Sequence, residues 1–337
     1  MEIFSATLSQ MAYLFSLIVL GFVLAKLKVI PDNTASVIAK LENYIFIPAL
    51  VLGTFMNNFT MEKIPSAWKI LLFSFAVAIV MLVCATYTSK VLTKDSFVRK
   101  ICTYGLAFPN FGYMGNAVVL GLFPDLFTDY LIFTLPLWTL IYLYGVPVLL
   151  IPEDGGLQIM GKRARILSRL KSFANPMFVC MLIGMVLGIT GLGEMIAVES
   201  KDFVINSEGV REIVINRTWL GSVVETAGNC MSPLAMLLTG ITVSGISLKK
   251  TFTNVSIYVI SFVKLVIYPL VFIGIAYFLP LTDTMYICAV CAIAMPLGLN
   301  TIVIPSAYGK DSTVAAGMAI ISHLISCITI PLIFMLI

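Results

Sequence analysis

The feature that most constrains this chain is a series of long apolar segments separated by short polar breaks. An α-helix needs about 20 consecutive apolar residues to cross the hydrocarbon core of a membrane. By that standard the sequence predicts ten transmembrane spans, which lie near residues 4–26, 34–56, 67–92, 99–123, 128–151, 173–192, 218–246, 253–279, 284–308 and 313–336.

The composition excludes a soluble globular fold. Of the 337 residues, 60% are hydrophobic and only 11% are charged, whereas soluble domains carry about a quarter charged residues. The net charge of +4 is too small and too scattered for nucleic-acid binding, which needs a clustered basic face. We therefore expect an all-α integral membrane protein whose surroundings are the lipid bilayer, with no nucleic-acid partner.

Basic residues collect in alternate loops, and this pattern predicts the orientation in the membrane. Loops that are rich in Lys and Arg face the cytosol. We expect the protein in the cytoplasmic membrane of the cell. The alternation predicts that both termini lie on the outer side of this membrane. Fifteen of the 21 basic residues lie in the predicted cytosolic loops or beside them: Lys26, Lys28, Lys40, Lys90, Lys94, Arg99, Lys100, Lys162, Arg163, Arg165, Arg169, Lys171, Lys249, Lys250 and Lys310.

The central basic loop divides the chain into two halves of five spans each. The predicted units are residues 1–152, the loop 153–171 and residues 172–337. Because five is odd, the second half enters the membrane in the opposite orientation, so homologous halves would form an inverted repeat. Weak internal similarity supports this: Pro48 aligns with Pro233, and Pro109 with Pro296, at offsets of 185 and 187 residues.

Spans four and nine each contain a cluster of residues that interrupts helices. A proline removes a backbone donor, so helix can give way to open backbone there. Matched breaks in two inverted halves point to the central site of a transporter, where half-helix N-termini and amide side chains can hold an anion. The alternative is that both are kinks that help the spans to pack. The candidate substrate-binding residues are Pro109, Asn110, Gly112, Gly115, Asn116, Pro296, Gly298, Asn300 and Thr301.

Four titratable residues within spans are candidates for charge or coupling roles. Lys264 lies near the middle of span eight; it could attract an anion, neutralise a carboxylate or replace a coupling cation, or it could snorkel to an interface. Glu42 and Glu225 could carry protons, although Glu42 could instead pair with Lys40. His323, the single histidine, could carry a proton or form a hydrogen bond within the packing.

No motif indicates an enzyme. The sequence has no phosphate-binding glycine loop, no dinucleotide fingerprint and no HExxH zinc motif. Cys288 and Cys291 form a CxxC, but no second pair or histidine cluster accompanies it. We expect neither a catalytic site nor a cofactor nor a metal site, and any transport would draw its energy from gradients.

Several of these stretches together resemble the auxin efflux carrier family, whose prokaryotic members are relatives of the plant PIN proteins. In span four the segment 110–115 reads NFGYMG, and in span nine the segment 296–303 reads PLGLNTIV. The segments 308–311 (YGKD), 329–331 (TIP) and 264–269 (KLVIYP) are similar to the same family. This sequence departs from the family pattern at Ala117, where relatives often have proline, and in its short central loop, which favours a prokaryotic carrier.

The resemblance implies a fold and a function. Spans one, two, six and seven would form a scaffold, and spans three to five and eight to ten a mobile transport domain in which the broken spans four and nine cross. Relatives carry organic anions, so a secondary active transporter of carboxylates such as malate, malonate or auxin-like acids is expected, working by alternating access of the elevator type. A homodimer through the scaffold is also implied. The alternatives are a membrane sensor or receptor and a sodium-coupled carrier like the bile acid symporters.

Overall fold

A computed structural model describes residues 2–151, 167, 174–205, 211–245, 255–308, 310 and 313–337. Most of the predicted basic loop 153–171, and Lys249 and Lys250, lie outside these residues. The described chain is α-helical apart from one β-hairpin, which confirms the all-α class.

Helices fill the first part of the chain almost without interruption. Short turns join most of them, and a three-residue gap separates the two that we label α4a and α4b. The helices are α1 (Glu2–Lys26), α2 (Thr34–Asn58), α3 (Met61–Leu92), α4a (Ser96–Ala107), α4b (Phe111–Leu122) and α5 (Pro124–Leu150).

The second part of the chain has a similar series of helices. Here too a non-helical gap separates two helices, labelled α9a and α9b. The elements are α6 (Pro176–Thr190), β1 (Val198–Ile205), β2 (Arg211–Arg217), α7 (Trp219–Ser244), α8 (Val255–Ala276), α9a (Asp283–Ile293), α9b (Asn300–Ala307) and α10 (Thr313–Phe334).

Six helices within the described residues are long and apolar enough to cross a membrane: α1, α2, α3, α5, α8 and α10. Large apolar side chains are exposed along them, such as Leu72 and Val80 on α3 and Val271 on α8. In water such surfaces would be unfavourable, whereas acyl chains cover them at no cost. The protein is therefore a multi-pass membrane protein. The ten-span arrangement stays a prediction, since α4b, α6 and α9a are shorter.

Prolines shift the backbone hydrogen bonding within several helices. In α2 the N–H of Ile47, just before Pro48, bonds to the carbonyl of Glu42, five residues back. In α8 the N–H of Tyr268, just before Pro269, bonds to Val263 in the same way. Proline has no N–H and crowds the preceding turn, so a wider π turn forms there.

The segment between α6 and α7 differs from the predicted loop. Residues 192–197 form a short helix, and β1 and β2 then pair as an antiparallel hairpin, with Val198 opposite Arg217. Both strands are rich in Val and Ile, which favour extended backbone. The charged residues among them made the segment resemble a loop in the sequence.

The helices pack in two groups. In the first, α1 packs on α7, and α2 packs on both α6 and α7. In the second, α3 packs on α4a and α5, α8 packs on α10, and α9a packs on α5. The two groups meet where α1 contacts α10 and where α4b contacts α1 and α7. The interruptions of α4 and α9 both lie in the second group.

Candidate functional site

The two helix interruptions lie against each other. Pro109, in the gap between α4a and α4b, forms an antiparallel bridge with Leu297, in the gap between α9a and α9b. The backbone N–H of Asn110 donates to the carbonyl oxygen of Pro296 at 2.8 Å. Non-helical backbone at the depth of a membrane is tolerated only where such groups are satisfied by the protein. The bridge pairs backbone groups of one gap with those of the other. We call this contact of the two gaps the junction.

The glycines that follow the first gap make room for aromatic rings. A Cβ on Gly112 would lie 2.5 Å from Cζ2 of Trp138, and one on Gly115 would overlap the hydroxyl oxygen of Tyr130. That hydroxyl donates to the carbonyl oxygen of Phe111 at 3.1 Å. The two glycines therefore let α5 pack tightly against the junction.

Asn110 is buried and linked to the last helix. Its Nδ2 lies 3.1 Å from Nε2 of His323, and the other ring nitrogen, Nδ1, lies 2.7 Å from the carbonyl oxygen of Ala319. A carbonyl only accepts, so Nδ1 carries the proton and Nε2 accepts from the Asn110 amide. The neighbouring Ser322 hydroxyl accepts from the N–H of Leu297 at 3.2 Å. Helix α10 thus holds both sides of the junction.

Asn300 begins the helix that follows the second gap. Its Nδ2 donates to the hydroxyl oxygen of Tyr104 at 3.1 Å. The hydroxyl of Thr301, which is fully buried, donates to the carbonyl oxygen of Gly298 at 2.7 Å within its own turn. Gly298 itself lies against the first gap, because a Cβ there would be 3.3 Å from the carbonyl oxygen of Phe108. Asn300 is only partly buried.

An open cavity of about 860 Å³ separates the first helix group from this part of the second. This volume is within the range of roughly 300–1,000 Å³ that is usual for sites of small ligands. Its lining includes Asn300 on α9b, Tyr113 on α4b and Asn43 on α2. The Asn43 amide lies 3.4 Å from the Tyr113 hydroxyl, so this contact joins the two groups.

The mouth of the cavity carries a positive charge. Lys26, Lys28 and Lys40 line it, together with one acid, Asp32. All four side chains are exposed, and all belong to the ends of α1 and α2 or to their connection. An excess of positive charge at the mouth of a low-dielectric cleft raises the local concentration of anions.

The model of one protein family matches residues 6–334, almost the whole chain. Its description is "membrane transport protein". The chain belongs to this family. The match confirms the resemblance to the auxin efflux carrier family. Family members are transporters rather than enzymes. No curated protein matches the chain.

Within this transporter, the candidate residues from the sequence occupy two layers. Of the nine candidate substrate-binding residues, Asn300 alone is among the residues that line the cavity. Pro109, Asn110 and Pro296 form the junction behind it, and Gly298 packs there. Asn116 is also buried, and its Oδ1 has no hydrogen-bond partner among the described residues.

Sequence reasoning missed most of the cavity lining. Asn43 was not a candidate, the lysines served only to predict the topology, and Tyr113 was only part of the segment 110–115 that resembles the family. The missing signal was proximity, since these residues come from α1, α2, the connection between them and α4b. The pattern of polar and apolar residues along one helix cannot reveal a cavity that several helices line together.

Lys264 of the transporter is fully buried, with no exposed surface. Its Nζ lies 3.4 Å from the carbonyl oxygen of Leu106, at the end of α4a, and 5.8 Å from the ring centroid of Tyr268. A charge in the middle of a membrane helix costs at least about 2.5 kcal/mol. The side chain does not snorkel, because its ammonium group points to the protein interior near the junction.

The two glutamates occupy different environments. Glu42 is fully buried on the π turn of α2, and neither carboxyl oxygen has a hydrogen-bond partner among the described residues. The alternative pairing with Lys40 is not formed. Glu225 lies near the start of α7, where it pairs with Arg217 at 2.5 Å and keeps 46% of its side chain exposed. Glu42 is the stronger candidate of the two for carrying a proton, because it is buried without a hydrogen-bond partner among the described residues.

One buried charge was not expected. Asp129 is buried near the start of α5 and pairs with Lys63 at 3.1 Å. Within the described residues, no group of three or more His, Cys, Asp or Glu side chains could hold a metal ion. Cys288 and Cys291 are buried free thiols.

Proposed function

We propose that the protein is a secondary active carrier of small organic anions, such as malate, malonate or an auxin-like acid. The observation that carries this proposal is the cavity, which is lined by three exposed lysines and by Asn300 at the start of α9b. A carboxylate needs a positive entrance and polar donors at the end of its path. This cavity offers both, whereas its remaining walls are largely apolar.

The part of the cavity beside α9b suits an anion for a further reason. The aligned peptide dipoles of a helix place about half a positive charge at its N-terminus. Asn300 begins α9b and lines the cavity, so this end of the helix and an amide side chain face the same space. The Tyr113 hydroxyl and Asn43 complete a polar patch there. The substrate would bind with its carboxylate against this patch.

Two features support an inverted repeat of five plus five spans. The first is the bridge of Pro109 with Leu297 together with the bond from Asn110 to Pro296. When Pro109 is aligned with Pro296, these two contacts are equivalent to each other. A pseudo-two-fold axis through the junction would produce such a contact. The second is the pair of helix gaps, one in each half of the chain. We propose that α4 and α9 cross at this point.

The packing into two groups supports a scaffold and a mobile domain. The group of α1, α2, α6 and α7 would be the scaffold, and the group of α3 to α5 and α8 to α10 the transport domain. The cavity lies between them, so sliding of the second group against the first would carry Asn300 from one side of the membrane to the other. This is alternating access of the elevator type. A homodimer through the scaffold would anchor the stationary group.

The charged mouth supports an orientation. If the basic side is cytosolic, the cavity opens inward, both termini lie outside, and the conformation described is inward-facing. We place the protein in the cytoplasmic membrane of a prokaryote.

The test is counterflow in proteoliposomes with a panel of labelled mono- and dicarboxylates. Wild-type protein is expected to exchange at least one of them, and replacing Lys26, Lys28 and Lys40 together by Gln should slow uptake most at low ionic strength, where charge steering is strongest. Lys94→Gln is the matched control, because Lys94 is an exposed basic residue that does not line the cavity. Saturable binding without exchange would instead indicate a receptor.

A further inference from the structure

Lys264 is a fully buried lysine that lies beside the end of α4a. It lies on the π turn of α8 that precedes Pro269, and no part of it reaches the surface. Within the described part of the chain, no carboxylate forms an ion pair with it. Its ammonium group contacts the Leu106 carbonyl oxygen at 3.4 Å and lies 5.8 Å from the centroid of the Tyr268 ring.

The Leu106 carbonyl is available because α4a ends at the junction. In a continuous helix this oxygen would accept the N–H of Asn110, four residues later. Here the N–H of Asn110 bonds to Pro296 instead. The break therefore releases a carbonyl at the negative end of α4a, and a cation is the natural partner of such an end.

A second polar group lies on the same side of α8. Ser261 is fully buried one turn before Lys264, and its hydroxyl has no hydrogen-bond partner among the described residues. Residues three apart lie on one face of a helix. The polar and aromatic groups on the Lys264 side of α8 are therefore a carbonyl oxygen, a hydroxyl and a ring face, which are groups that attract a small cation.

We propose that Lys264 is a tethered cation that holds the end of α4a at the junction, so that the carrier works without an inorganic coupling cation. This inference rests on the proposed function, because it concerns how that carrier is coupled. Lys264 is a positioning residue: it acts on the anion through the junction. The charge moves with the transport domain in every cycle and is never exchanged with solvent.

The first test compares cations on the wild-type protein. Counterflow is expected to proceed at equal rates when both compartments contain sodium, potassium or choline. A requirement for sodium in the wild-type protein would overturn the proposal, because it would show that a free cation is still needed. If no anion on the panel is exchanged under any condition, the proposed function fails. The effect of ethylammonium on the thermal unfolding of Lys264→Ala, described next, still decides the role of Lys264.

The second test removes the tether and supplies a free cation. Lys264→Ala should slow counterflow by at least about tenfold, and added ethylammonium should restore part of the rate. Ethylammonium should also raise the thermal unfolding temperature of Lys264→Ala and leave that of the wild type unchanged. Lys69→Ala, which removes an exposed lysine from α3, is the control and should behave as wild type in both measurements.

A third variant keeps the proposal falsifiable if Lys264→Ala does not fold. Lys264→Arg keeps a permanent positive charge in a different shape. It is expected to fold and to exchange anions without sodium. Full transport by Lys264→Ala without any added amine would overturn the proposal, as would a folded Lys264→Ala that ethylammonium neither stabilises nor reactivates.

Discussion

The Asn110 amide donates to Nε2 of His323 across 3.1 Å, and this bond ties the gap after α4a to helix α10. Because Nδ1 of the same ring donates to the carbonyl oxygen of Ala319 and Nε2 accepts from the amide, the ring has one fixed tautomer. Both partners are buried. The orientation of the Asn110 side chain therefore depends on a residue 213 positions later in the chain.

This dependence predicts that His323→Leu impairs transport more than His323→Gln does. Leucine leaves the buried Asn110 amide without its acceptor, at a cost of about 1 to 3 kcal/mol, whereas a glutamine oxygen can still accept. Counterflow rates and thermal unfolding of both variants measure the difference. Equal losses in the two variants would show that only the packing of the imidazole ring matters.

Asn300 and Asn110 are predicted to differ in what their loss changes. Asn300 lines the cavity, so Asn300→Leu should raise the half-saturating anion concentration by the equivalent of about 1 to 3 kcal/mol of binding energy. Asn110 lies behind the cavity wall, so Asn110→Leu should lower the maximal rate and the unfolding temperature instead. Concentration series of counterflow separate the two effects.

Asn57→Leu is the control for these variants, since Asn57 is exposed at the end of α2, away from this cavity. An unchanged half-saturating concentration in Asn300→Leu would place the anion site elsewhere.

The sequence indicated the family, the all-α class and the position of both gaps because each depends on local composition. Proline, glycine and asparagine close together in an apolar run mark the gaps around Pro109 and Pro296 without any knowledge of distant contacts. The same local information gives the long apolar helices.

The contacts of the site could not be predicted in this way. That Lys264 contacts Leu106, or that His323 contacts Asn110, depends on how α8 and α10 pack against α4, over separations of 158 and 213 residues. Glu42 and Glu225 look alike in the sequence, and their different burial follows from tertiary packing alone. The hairpin of β1 and β2 was missed because its charged residues resemble those of a loop.

The orientation in the membrane gives a prediction that needs no substrate. Single cysteines placed at Lys28 and at Asn58, in a variant without the seven native cysteines, should react from opposite sides of the membrane. Both positions are exposed, and one apolar helix, α2, separates them. With a membrane-impermeant reagent on intact cells, Asn58→Cys is expected to react and Lys28→Cys only after permeabilisation. Labelling of both from the same side would contradict the assignment of α2 as a span.

Glu42 is predicted to function as a neutral acid. A carboxylate with no partner in an apolar interior is strongly unfavourable, so the group is expected to stay protonated in this conformation. Glu42→Gln has the shape of the protonated acid and should keep both the thermal stability and counterflow at neutral pH, while weakening the dependence of counterflow on pH. Glu225→Gln, at the exposed pair with Arg217, is the control and should leave that dependence unchanged. Identical pH profiles in Glu42→Gln and wild type would exclude a protonation role.

The packing at Gly115 gives a prediction of stability alone. An alanine Cβ would overlap the Tyr130 hydroxyl oxygen and would lie 3.3 Å from Cζ of the same ring. Forcing an extra methyl group into a tight interior costs about 1 to 3 kcal/mol, so Gly115→Ala should lower the unfolding temperature. Gly274→Ala is the matched control, because nothing lies within 4 Å of its Cβ position.

The hydroxyl of Tyr130 decides how much of that loss is recovered. Tyr130→Phe alone gives up the hydrogen bond to the Phe111 carbonyl, a loss of about 1 kcal/mol. Combined with Gly115→Ala, it also removes the atom that the new methyl group would overlap. The double variant should therefore be less destabilised than the sum of the two single variants, because residues in contact do not behave additively. Thermal unfolding of the three variants in detergent measures this coupling. Strict additivity would show that the Tyr130 hydroxyl does not limit the space at Gly115.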